Sequence, residues 1–101
     1  MSHRASLGAR DRTRPAPSVH VRAFDDELVV LDLAAGEYFA LDAIGARLWQ
    51  GLGAGNTVED VAKAIVDDYD VSFERALADL LTLADELVAR GLVVPARDDR
   101  R

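Results

Sequence analysis

The stretch from Leu28 to Ala43 leaves this chain little choice of fold. Leu28 to Leu33 is a nearly continuous β-favouring run, Ala34-Ala35-Gly36 supplies a tight turn, and Glu37 to Leu41 is a second run rich in aromatic residues. Asp42 follows at once, and its carboxylate can accept from the free amides of a first helical turn that begins at Ala43. A hairpin that enters a capped helix without a linker predicts a small α+β unit.

The flanking segments extend that unit. Val19, Val21 and Ala23 alternate with His20 and Arg22, the period-two pattern of a strand with one buried face, and Asp25-Asp26 is its turn. Three strands are about the minimum for a stable meander when helices cover one face. Ile44, Leu48, Trp49 and Leu52 recur at helical spacing until Gly51 to Asn56 ends the run. Trp49 falls at core spacing. Thr57 caps a second helix, with Glu59 and Asp60 where the dipole favours negative charge and an apolar stripe from Val58 to Tyr69. Asp70 or Ser72 opens a third helix that runs to about Arg90, with Gly91 as its stop. The expected architecture is a three-stranded antiparallel sheet followed by three helices.

With 101 residues, half of them hydrophobic, the chain holds one modest core. Residues 1–18 finish in Pro15-Ala16-Pro17 and lack apolar periodicity, so they read as a mobile tail. The domain is expected over 19–94, with 95–101 as a C-terminal tail. There is no cysteine, which suits a reducing compartment and removes thiolate metal sites and a cysteine nucleophile. Arg4, Arg10, Arg12 and Arg14 flank only Leu7-Gly8-Ala9, too short for a secretory signal, and no apolar run approaches the roughly 20 residues that span a bilayer. The expectation is a cytoplasmic protein without a membrane partner.

Charge is distributed unevenly. The overall −6 conceals a body, residues 19–95, with five basic against fifteen acidic residues. Proteins that bind nucleic acid draw much of their affinity from neutralising phosphates, and such a body repels them. No nucleic-acid partner is expected.

Little in the sequence supports catalysis. His3 lies in the tail and His20 on the first strand, with no serine or cysteine partner in view. Gly51 to Gly55 follows a helix and lacks the Lys-Ser/Thr ending of a phosphate loop. Asp68, Asp70, Ser72, Glu74 and Asp79 imitate calcium-loop spacing, yet Phe73 sits where a glycine must turn and Asp79 replaces the bidentate glutamate, so helix capping explains them better. No enzyme activity, cofactor or metal is expected.

Two surfaces stand out as binding candidates. On the third helix the apolar residues from Phe73 to Val88 spread over an arc of roughly 160°, more than one core contact requires. With Phe73, Leu77, Leu81, Ala84 and Val88 on the other helices, an edge of Ala76, Leu80, Leu83 and Leu87 is left, bordered by Asp79 and Arg90. A wide but ordinary core contact is the plainer reading, and the Leu81 and Val88 edge is the other candidate for the free side. The second surface is Glu37-Tyr38-Phe39-Ala40-Leu41, since an edge strand offers unpaired amides and carbonyls to an extended chain. If Phe39 and Leu41 point inward, Tyr38 and Ala40 point away. Tyr38 is then either an exposed aromatic beside the edge or a residue half covering the sheet.

Leu31-Asp32-Leu33, Gly36 to Asp42, Gly45-Ala46-Arg47-Leu48-Trp49, Thr57 to Val61 and Leu87 to Val93 together resemble the PqqD-like family, the recognition elements of ribosomally synthesised and post-translationally modified peptides. The likeness covers about residues 19–94, and the hairpin entering the first helix is its most specific part. The resemblance implies a winged-helix-like fold whose third strand and third helix form a cleft, to which the leader of a precursor peptide adds as an antiparallel strand. It assigns peptide contact to Glu37, Tyr38, Phe39, Ala40 and Leu41, and to Ala76, Asp79, Leu80, Leu83 and Leu87.

The Tyr38-Phe39 pair and Leu48-Trp49 look most like the stand-alone leader-binding proteins of lasso-peptide pathways, which pass the bound peptide to a leader peptidase and then a cyclase. Members of this family that serve pyrroloquinoline quinone or radical-enzyme pathways are similar. Two other readings remain: a winged-helix DNA-binding regulator, opposed by the acidic body, and an interaction module of a larger biosynthetic complex.

Overall fold

The computed structural model describes residues 8–95. In chain order the elements are β1 (Thr13–Pro15), β2 (Val19–Phe24), β3 (Glu27–Asp32), β4 (Glu37–Leu41), α1 (Ala43–Gly53), α2 (Val58–Asp68), α3 (Phe73–Ala89) and β5 (Val93–Pro95). Strands β2, β3 and β4 form the expected antiparallel meander, with β3 central and β4 at an edge.

Local chemistry sets the turns. Asp25 takes the left-handed conformation (φ 51°), which a short polar side chain tolerates, and closes β2 onto β3. At the β3–β4 turn the Asp32 carboxylate accepts from the Ala34 and Ala35 amides, and Gly36 at φ 71° completes the reversal. Asp42 caps α1 by accepting from the Gly45 amide at 2.9 Å. Thr57 and Asp60 form a reciprocal capping box on α2, and the Ser72 hydroxyl accepts from the Arg75 amide to start α3.

One face of the meander is covered by the helices. Leu28, Val30 and Leu41 pack against Leu48, Trp49 and Leu52 of α1, Val58, Val61 and Ile65 of α2, and Ala76, Leu80, Ala84 and Leu87 of α3. Gly51 permits the approach of α1 to α2, since a Cβ there would stand 2.5 Å from a Val61 methyl. Trp49 is a core residue.

The N-terminal segment departs from expectation. Residues 1–18 read as one mobile tail, but β1 pairs antiparallel with β5, and Thr13 and Ala16 are buried. The Ala16 amide donates to the Leu92 carbonyl, the Glu59 amide to the Ala9 carbonyl, and the Arg12 guanidinium to the Gly55 carbonyl. Pro95, assigned to the C-terminal tail, is the other end of this pairing. A three-residue strand has no readable periodicity, and its partner lies about 80 residues away along the chain. The remainder of both assigned tails lies outside the described residues.

Candidate functional site

The pairing parity of β4 follows from a bond at its neighbour. The Leu33 amide donates to the Ser18 carbonyl at 3.3 Å, so the main-chain groups of Leu33 face β2. Successive residues of an antiparallel strand face alternate sides, so Leu31 and Val29 also serve β2 while Asp32, Val30 and Leu28 serve β4. Two further bonds agree with this phase: the Gly36 amide donates to the Asp32 carbonyl, and the Val19 amide turns away from β3 to the Ala16 carbonyl. Glu37, Phe39 and Leu41, opposite Asp32, Val30 and Leu28, are therefore committed to the sheet. Tyr38 and Ala40 direct their N–H and C=O groups out of the open edge.

Side chains follow the same alternation. Leu41 is buried and Phe39 half-buried against the core, whereas Tyr38 is 70% exposed and Ala40 is exposed. Helix α3 passes close to the inner side of β4. Leu41 and Leu83 converge over Gly45, where an added Cβ would stand 3.1 Å from one and 3.3 Å from the other. The Arg90 guanidinium lies 4.7 Å from the centre of the Phe39 ring, a cation–π contact between the C-cap of α3 and the strand.

Beside Gly45 opens a cavity of about 450 Å³, lined by Asp42, Ile44, Gly45, Ile65, Tyr69, Asp70, Val71, Ala76, Asp79, Leu80 and Leu83. It lies where the start of α1, the end of α2 and the first half of α3 meet. The tight turn from Tyr69 to Val71, closed by the Val71 amide on the Tyr69 carbonyl, forms part of its wall. Asp42, Asp70 and Asp79 give the cavity acidic lining residues, and no basic residue lines it. Asp79 meets Arg75 at 3.3 Å with both side chains largely exposed, a pair of little energetic weight.

The expected site is thus partly assembled and partly corrected. Glu37 to Leu41 do form an edge strand, and Asp79 and Leu83 line the cavity among the three helices. Ala76, Leu80 and Leu87, however, are not a free edge of α3. They are 5%, 2% and 0% exposed and, with Ala84, form the line by which the helix packs on the core. The arc was divided wrongly because helical spacing fixes which residues share a face but not where along that face the neighbours sit. Ala76 and Leu80 still show at the cavity wall; Leu87 does not. Leu81 and Val88, the other candidate edge, are half-buried against the core. The contributions of Ile44, Tyr69, Asp70 and Val71 were missed. Their signal was an apolar pair, Tyr69 and Val71, in a turn where solvation favours polar residues.

Among the described residues no group of three or more His, Cys, Asp or Glu is placed to hold a metal ion, and no helix is long and apolar enough to cross a membrane.

Residues 27–93 match the family described as coenzyme PQQ synthesis protein D (PqqD). Two solved structures are similar over most of the chain. TbiB1 in complex with the TbiA(beta) leader peptide shares 32% identity at a TM-score of 0.76, covering 85% of this chain and 99% of that one. A lasso peptide synthetase B1 complexed with the leader peptide shares 31% identity at 0.77, covering 83% and 99%. No curated protein sequence matches.

Proposed function

The chain belongs to the PqqD family, and from that premise we infer that it is a non-catalytic adaptor that captures the leader of a ribosomal precursor peptide and presents it to modifying enzymes. The observation that carries this reading is the open edge of β4, with Tyr38 and Ala40 unpaired on the outside, and a mainly apolar cavity that begins at Asp42, the residue after the strand. Both similar structures hold a leader peptide.

Strand addition accounts for how such a site works. Main-chain hydrogen bonds contribute only about 1 kcal/mol each, so they set register and direction more than affinity. Affinity comes from an aromatic or proline anchor entering the cavity between Ile44, Leu80 and Leu83, where burial at about 25 cal/mol per Å² supports binding near ~1 µM after ordering costs. Asp70 and Asp79 pair with basic leader residues and mainly hasten encounter.

The leader peptidase and cyclase of a lasso-peptide pathway are the enzymes this reading favours, on the likeness to the two synthetase partners. The description of the family points to a second pathway, quinone-cofactor synthesis, with the same binding mode.

Titration of the ¹⁵N-labelled protein with the TbiA(beta) leader, and with leaders of short precursors encoded beside its gene, tests the reading. Expected are shifts along Glu37 to Leu41 and α3, with slowed exchange at the Tyr38 and Ala40 amides. Absence of binding by every leader, or shifts confined to other surfaces, overturns it.

A further inference from the structure

The inner side of β4, toward α3, is only one of two faces that an added strand would meet. Residues directly opposite one another in an antiparallel pair carry their side chains on the same face of the sheet. A ligand residue opposite Phe39 or Leu41 therefore points inward to α3. One opposite Tyr38 points to the outer face, where no helix lies.

That outer face already has a cross-strand row waiting to be extended. His20 stands opposite Leu31, and Leu31 opposite Tyr38, so the three side chains run across β2, β3 and β4 to the open edge. Leu31 is half-buried, and Tyr38 is 70% exposed at the end of the row. The next row, Arg22, Val29 and Ala40, ends instead in a small side chain.

Resting on the strand-addition reading above, we propose that Tyr38 is a specificity-determining residue: it selects, on the outer face, an aromatic or β-branched leader residue lying between two inward-pointing ones, an apolar residue opposite Phe39 and a residue opposite Glu37. Aromatic and β-branched residues pair well with an aromatic directly across a ladder, and the partner removes Tyr38 and Leu31 from water together. The leader is thereby read as an alternating triplet, with its outer member recognised by Tyr38 and the inner member opposite Phe39 by the apolar inner face. The position opposite Ala40 carries no such preference.

Selection of 12-residue peptides from a randomised display library, against the full chain and against Tyr38→Ser, tests this. Tyr38 is outside the core, so thermal melting should be unchanged in the variant. Native-selected peptides should carry an apolar residue followed by an aromatic or β-branched one, the pair opposite Phe39 and Tyr38 at the start and middle of the triplet, and bind Tyr38→Ser roughly two- to fivefold more weakly. Serine at the middle position of the peptide should cost the same, and not add to the variant's loss. Peptides from the Tyr38→Ser selection should retain the apolar position opposite Phe39 with an unbiased middle one. An unbiased middle position in both selections, or equal affinity for both proteins, overturns the proposal while leaving leader binding intact. Failure to recover any peptide that shifts β4 amides overturns leader binding itself and the proposal with it.

Discussion

Replacement of Ala40 by proline isolates the edge of β4, because the alternation along the sheet gives adjacent residues opposite obligations. The Ala40 amide faces outward and serves no partner in the sheet, so proline there removes no ladder bond. Its neighbour Phe39 is already extended, as a residue before proline prefers. The cost to folding is then limited to adapting φ, about 1 kcal/mol. For binding the loss is larger. One main-chain bond to the ligand disappears, about 1 kcal/mol, and the ring occupies the space through which the added strand approaches, displacing the neighbouring bond as well. Leader affinity should fall at least tenfold.

Phe39→Pro is the matched control, since the Phe39 amide belongs to the ladder with Val30. It should cost more stability than Ala40→Pro, because it removes a ladder hydrogen bond and leaves the Val30 carbonyl without its partner. Urea denaturation followed by circular dichroism gives the stability of both variants, and fluorescence anisotropy of a labelled leader gives the affinity. If Ala40→Pro proves as destabilising as Phe39→Pro, the assigned parity is wrong. If it folds and binds like the native chain, the leader does not use this edge.

Leu83→Asp, at the cavity wall beside Gly45, should leave helicity intact and weaken leader affinity at least tenfold, because the anchor would be buried against a carboxylate; unaltered affinity by titration calorimetry would remove the cavity from the site. Thr13 is 2% exposed and its hydroxyl has no partner among the described residues. Thr13→Val, of the same shape, should stabilise the fold by about 1 kcal/mol and raise Tm by ~4–8 °C. Asp60 has its carboxyl held below the ordinary value of 3.8, chiefly by the Thr57 amide that donates to it, then by the Thr57 side chain and the positive charges of Arg12 and Lys63. A lowered carboxyl pKa stabilises the fold above the unfolded value and loses that contribution as pH falls through the folded one. Asp60→Ala should therefore be less stable than the native chain at neutral pH, with the gap narrowing in paired denaturation curves as pH falls below the ordinary carboxyl value of 3.8.

Local chemistry carried most of the fold into view. The caps at Asp42 and Thr57, the turns at Asp25-Asp26 and Ala34 to Gly36, and the alternation of β2 depend on residues a few positions apart, so the elements from β2 to α3 were legible in the sequence in the order found. The third helix shows where that legibility stops. Its apolar arc was correct, but whether Leu83 or Leu87 faces the gap depends on where β4 and α1 come to rest against it. That is a matter of packing between distant segments, and Gly45, by admitting Leu41 and Leu83 together, is one of the residues that settles it. Likewise nothing in Thr13-Arg14-Pro15 announces a strand until Val93-Val94-Pro95 is brought alongside. The sequence by itself determined the elements, the acidic body and the likeness to a peptide-binding family. Only the tertiary structure decided which edge is open, which amides it presents and which apolar residues are spent on the core, because each depends on contacts between residues far apart in the chain.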